Sequence, residues 1–115
     1  MTWLCVALGA AVGAPLRFLV GGWLDSPGPA LPWGTLTVNT AGSFVLGLAS
    51  VLALGPEAAA LIGVGFCGGL TTYSTFAVQT VGLGRRRGAA YAALTVGLAL
   101  VACTLGHLTG AAVGS

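Results

Sequence analysis

Six charged side chains, Arg17, Asp25, Glu57, Arg85, Arg86 and Arg87, are all that a chain of 115 residues carries. The stretches between them are too long and too apolar to be solvated by water. Crossing the hydrocarbon core of a bilayer as a helix takes about 20 apolar residues. The apolar runs supply four such spans, at roughly 2–24, 32–54, 58–82 and 88–111, the first with Arg17 inside it. Charged residues make up 5% of the chain, against roughly a quarter in soluble domains. A small soluble domain needs a charged shell, and six charges cannot form one. The expected fold is therefore all-α: a single transmembrane domain over 1–115, multi-pass in the cell membrane and solvated by lipid. Soluble enzymes and secreted disulfide scaffolds are excluded. With no Lys and a net charge of +2, no nucleic-acid partner is expected.

The connections are short. Ser26-Pro27-Gly28-Pro29 reads as a hinge, Gly55-Pro56-Glu57 as a tight turn, and Gly84 to Gly88 as a basic loop. Pro15 and Arg17 are expected to interrupt the first span, which is too long for a cleaved signal peptide. Glycines four apart, Gly9 and Gly13, Gly65 and Gly69, Gly106 and Gly110, allow close backbone approach where apolarity gives helices no drive to associate. So small a bundle encloses little space, and a pathway through it calls for a second subunit. Cys5, Cys67 and Cys103 lack metal-ligand spacing and read as small packing residues. His107, alone near a helix end, reads the same way.

Polar side chains in lipid turn toward the bundle or an aqueous path. Thr35, Asn39 and Ser43 recur every four residues of the second span. The Asn39 amide demands partners for two donors and an acceptor. In the third span, Gly65-Phe66-Cys67-Gly68-Gly69-Leu70-Thr71-Thr72-Tyr73-Ser74-Thr75-Phe76 is poor helix material and reads as a helix broken mid-membrane. Such a break frees backbone groups, and these are tolerated where they line a cavity and can hold small ions. Tyr73 and Phe76 lie three apart, and the positive edges of aromatic rings can face an anion. Tyr91 and Thr95 form a polar row on the fourth span that ends at Ala99. Arg17 is the one cation within a span, suited to an anion-attracting vestibule. Asp25 and Glu57 fall in connections, so no carboxylate lies within the spans to serve proton-coupled export.

The segments Gly13-Ala14-Pro15-Leu16-Arg17-Phe18, Gly34-Thr35-Leu36-Thr37-Val38-Asn39 with Gly42-Ser43-Phe44, and Gly65 to Phe76 together resemble the CrcB/Fluc fluoride channels over essentially the whole chain. The resemblance implies four-helix subunits paired as antiparallel dimers, two fluoride pores, a structural Na+ at the dimer interface, and passive export of toxic fluoride from the cytoplasm. By position it implies that Asn39, Tyr73 and Phe76 line the pore and that Gly68 and Thr71 hold the sodium through backbone carbonyls. Arg17 is implied in the vestibule, Tyr91 and Thr95 in a polar track, with Ser74 or Thr75 adding hydroxyls. Tyr73 stands where the family has Phe, and Ala99 shortens the track. The neutral donors at Thr35, Asn39 and Ser43 suit a strongly hydrated anion that must enter and also leave.

The loops joining spans one to two and three to four share a side, which holds Arg85, Arg86 and Arg87. The other side has no Lys or Arg. The positive-inside rule then puts both termini outside. So clear a bias favours a fixed orientation and an oppositely inserted homologous partner over a homodimer. The competing functions are a small multidrug-type exporter, disfavoured for want of a buried carboxylate, and a non-conducting subunit of a membrane complex, which leaves the polar run beside Asn39 unexplained.

Overall fold

The computed structural model describes residues 2–25, 31–52 and 54–114. The Ser26–Pro29 hinge lies outside the described residues. Among them every regular element is helical. We label the helices α1 (Thr2–Leu24), α2 (Trp33–Val51), α3 (56–70), α4 (Ser74–Gly82) and α5 (Arg85–Gly114). Among the described residues four helical stretches are long and apolar enough to span a membrane, Thr2–Leu24, Trp33–Val51, Pro56–Gly82 and Arg85–Val113. The bundle is 43 Å in its longest dimension, close to the ~40–45 Å of a bilayer with its headgroups. Trp3 marks one end, and Trp23 and Trp33 the other. All three are exposed, as aromatic side chains are at membrane–water interfaces.

Helix pairing is set by glycine. On α1, Gly9 abuts the backbone of Leu61, Gly65 and Phe66, and Gly13 abuts Phe66 and Leu70. Gly65 and Gly69 answer from α3, against Val6, Gly9, Ala10 and Ala14. The same device joins α2 to α5, where Gly47 meets Cys103, Gly106 meets Phe44, and Gly110 meets Leu48 and Val51. The chain is thus two closely apposed pairs, α1 with α3 and α2 with α5. Side chains left outside these seams, among them Phe18, Val78, Val81 and Leu100, are exposed, as lipid-facing residues are.

Several local expectations are corrected. Pro15 does not interrupt α1, which runs unbroken from Thr2 to Leu24; proline is tolerated in membrane helices because neighbours re-satisfy the freed backbone groups. Pro56 and Glu57 are not a turn but the first residues of α3, a favourable place for a ring with φ already fixed and for an acid at the positive helix end. Arg85, Arg86 and Arg87 are not in a loop. They form the first turn of α5, and the reversal before it is made by Gly84 at φ +84°, a conformation glycine reaches without a Cβ clash.

The paired glycines Gly68 and Gly69 lie within α3. Helical structure stops after Leu70, where Thr71 turns extended at φ −83°, ψ 158°. It resumes at Ser74. Upstream, Ala60–Cys67 is wound as a π-helix, a form seen mostly as short insertions at functional sites.

Candidate functional site: an uncharged cleft and an Arg17 cavity

The interruption at residues 71–73 is held by one side chain. Asn39 Nδ2 donates to the Thr72 carbonyl at 3.0 Å, and the Thr72 N–H donates to Asn39 Oδ1 at 2.7 Å. The amide thus satisfies both backbone groups of Thr72, a residue only 8% exposed. The Thr72 hydroxyl in turn accepts the Thr75 N–H at 3.2 Å and starts α4. Gly42, one turn beyond Asn39, leaves room for the Thr71 methyl. In a continuous helix the Thr72 N–H would bond to the Gly68 carbonyl. Its transfer to Asn39 leaves that carbonyl without its helical donor. Gly68 is exposed, and a Cβ built on it meets nothing within 4 Å. Neutral carbonyls freed at a helix end suit a small hard cation, so the Gly68 and Thr71 backbone fits that chemistry.

Beside this interruption lies a cleft of about 590 Å³ whose lining includes Asn39, Ser43, Thr71, Tyr73, Phe76 and Thr95. Among the described residues no charged side chain lines it. Several of its donors are already engaged. Ser43 Oγ donates to the Asn39 carbonyl at 2.7 Å, and Thr71 Oγ1 to the Cys67 carbonyl at 2.8 Å. The Thr95 hydroxyl is buried beside the Tyr91 phenol. Tyr73 and Phe76 stand 6.3 Å apart at 47°, and Phe76 and Tyr91 are 5.4 Å apart at 39°. These tilted rings present edges as well as faces. Tyr73 is 80% exposed, whereas Tyr91 is fully buried.

A second cavity, of about 510 Å³, lies on the other side of Thr72 and is lined by Arg17, Asp25, Thr35, Ser74 and Thr75 among others. The candidate residues therefore divide. Asn39, Ser43, Tyr73, Phe76 and Thr95 meet at the cleft; Arg17, Thr35 and Thr75 meet in the second cavity; Tyr91 packs between α4 and α5.

The family model described as "CrcB-like protein, Camphor Resistance (CrcB)" matches residues 4–110. The chain belongs to the CrcB family. Its four long apolar helices make it a multi-pass membrane protein. The fluoride-specific ion channel FluC 2 of Rhodococcus jostii strain RHA1 is 50% identical over 110 residues, which span 92% of this CrcB chain and 96% of that protein. The fluoride-specific ion channel FluC of Bordetella petrii is 46% identical over 115 residues, 92% and 88% of the two chains. The FluC 1 channel of Symbiobacterium thermophilum is 41% identical over 121 aligned positions, 96% and 98% of the two.

Two residues of this CrcB chain were invisible as site residues in the sequence. Asp25 does not stand free in a connection. It follows the last turn of α1 and is half-buried. Its Oδ1 accepts the Gly34 N–H at 2.7 Å and, at a longer 3.4 Å, the Thr35 N–H. Its Oδ2 accepts from Thr35 Oγ1 at 3.3 Å and Gln79 Nε2 at 3.4 Å. Gln79 Oε1 accepts the Tyr91 hydroxyl at 3.2 Å. The one available signal was the sequence position of Asp25, eight residues before Trp33, the first residue of a helix whose cap position, Pro32, makes no side-chain hydrogen bond.

Proposed function

We propose that this chain is a subunit of a passive fluoride channel of the cell membrane that exports fluoride from the cytoplasm. The supporting observation is the cleft built around the Asn39–Thr72 pair. Amide, hydroxyl and aromatic side chains line it, with no charged one among the described residues. Fluoride gives up its water only to donors of comparable number, and a fixed cation beside it would hold it in place. Arg17 lines the neighbouring cavity and stays outside the cleft itself. The curated relatives named fluoride-specific ion channels support the same reading.

The finer arrangement is part of the proposal. Two subunits insert in opposite orientations, their third spans broken mid-membrane at residues 71–73 and crossing at the dimer centre. The carbonyls of Gly68 and Thr71 from both subunits would hold a structural Na+, which neutralises the inward-pointing carbonyl dipoles. The three Arg at the start of α5 favour a homologous partner over a second copy. The pore residues are Asn39, Tyr73, Phe76, Ser43, Thr95 and Tyr91, with Thr35 and Thr75 on the vestibule side.

Fluoride efflux from proteoliposomes, with chloride as control, tests the function. Rapid fluoride efflux without chloride efflux is expected. None, even with a homologous partner supplied, would refute the channel. The dimer has its own test in Gly68→Val, since a Cβ on Gly68 meets nothing within 4 Å inside one subunit. The variant should unfold within a few degrees of wild type but run as a monomer in detergent and pass no fluoride. A Gly68→Val protein that still pairs and conducts removes Gly68 from the dimer centre.

A further inference from the structure

The first N–H groups of a helix have no intrahelical acceptor and, with the helix dipole, attract anions. At α2 one of these donors belongs to Thr35, which lines the cavity that holds Arg17, and the cavity walls add the hydroxyls of Ser74 and Thr75. Pro32, at the cap position, contributes no side-chain hydrogen bond. Left alone, a helix N-terminus beside a guanidinium and a row of hydroxyls would be a strong anion site. That strength is a defect in a conduction path, where each stop must release what it binds.

We infer that Asp25 is a built-in anion that occupies this N-terminus and keeps the Arg17 cavity from retaining the conducted ion. The carboxylate uses both oxygens. Oδ1 takes the Gly34 and Thr35 N–H groups, and Oδ2 takes Thr35 Oγ1 and Gln79 Nε2. Four donors are thereby engaged, two of them on Thr35, which lines the cavity. Gly34 permits the approach, since a Cβ there would sit 2.9 Å from Asp25 Oδ1 and 2.8 Å from the Gly21 Cα. Tyr91, through Gln79 Oε1, fixes the amide that faces Asp25. Among the described residues Arg17 is the one other charged side chain lining the cavity, so the two leave it with no net charge. Asp25 acts through the cavity and not on the ion, which makes it a positioning residue.

The test compares wild type, Asp25→Ala and Asp25→Asn by two readouts. One is the rise of the detergent-solubilised protein's unfolding midpoint with sodium fluoride over sodium gluconate, which reports binding to the folded state. The other is the fluoride dependence of efflux. In Asp25→Ala the apparent fluoride affinity should tighten about tenfold, as charge-assisted donors become free; efflux should saturate at correspondingly lower fluoride and reach a lower maximum. Asp25→Asn still fills the space and accepts the Gly34 N–H, so it should stay within about threefold of wild type. If Asp25→Ala does not fold, Asp25→Ser empties the same second-oxygen position and carries the same expectation. Affinity unchanged or weakened in the emptied variant overturns the inference, as does equal tightening in Asp25→Asn. A purely structural role would lower midpoint and maximum flux with no tightening. The efflux arm rests on the channel reading, whereas the midpoint arm does not. A wild type that passes no fluoride therefore sinks the channel and leaves the Asp25 question to be decided by the midpoints.

Discussion

Asn39→Ala is expected to cut fluoride efflux by about two orders of magnitude and to lower the unfolding midpoint. The cost does not come mainly from a lost interhelical contact, since such pairs are worth only about 0.6 kcal/mol on average in membranes. It comes from Thr72. Removing the amide leaves the Thr72 N–H and carbonyl, now bonded at 2.7 and 3.0 Å, without partners in a residue 8% exposed. Each orphaned buried group costs about 1–3 kcal/mol, so a total of about 2–6 kcal/mol dominates the pair term. To recover it, residues 71–73 must shift, and with them Tyr73, the Thr72 cap of α4 and the tilt between Tyr73 and Phe76. Asn39→Asp separates the two roles of the side chain. Its carboxylate can still accept the Thr72 N–H but cannot donate to the carbonyl, and it sets a negative charge in the anion cleft. It should fold better than Asn39→Ala and conduct no more. Efflux at wild-type rate from either variant would remove Asn39 from the path.

The second large effect is on assembly of the bundle. Gly9→Val and Gly106→Val are each expected to abolish recovery of monodisperse protein on size exclusion in detergent. Ordinary overpacking costs about 1–3 kcal/mol because neighbouring side chains can yield. Here the neighbours are main chain. A Cβ on Gly9 meets the Leu61 carbonyl oxygen and the Phe66 nitrogen, and one on Gly106 meets the Phe44 carbonyl oxygen. Main chain in a helix cannot rotate away, so the whole seam must open, taking the other small-residue contacts with it. Gly97→Val is the control, since Gly97 is exposed on the same helix as Gly106 and has nothing within 4 Å. Recovery of the Gly9 and Gly106 variants at the level of Gly97→Val would show that these seams do not hold the bundle.

Much of this architecture could be read from where charge is missing. Four apolar runs, the first with a single Arg inside it, foretold four membrane-length helices, and glycines spaced by four marked the seams that join them. The division of the polar residues was less legible. Thr35, Asn39 and Ser43 look like one stripe, yet each step of four advances about 40° around a helix with 3.6 residues per turn. Thr35 and Ser43 thus diverge by about 80°, enough to place one against Asp25 and the other at the cleft. That Asn39 needed partners was evident from its chemistry, whereas the partner, Thr72, lies 33 residues away and is fixed only by the packing of α2 beside the interruption. Asp25 was hidden for a related reason. A carboxylate in a Pro- and Gly-rich neighbourhood looks solvated until the fold brings a helix N-terminus to it. The Arg triplet misled in the opposite sense, because a run of charge suggests a loop although arginine is a good helix former.

The pairing of α1 with α3 and of α2 with α5 also dictates an order of events during synthesis. Neither of the first two helices can complete its main seam when it leaves the ribosome, because its partner has not yet been made. Both must be stable in lipid on hydrophobicity alone, with their small-residue faces open, until α3 and then α5 arrive. A nascent chain stopped after α2 would present two unfilled grooves at once, one along Gly9 and Gly13 and one along Gly47. Such a fragment is exposed to mispairing with any neighbour that carries small residues at the same spacing. The interval between translation of residue 51 and residue 110 is therefore the vulnerable stage in the life of this protein.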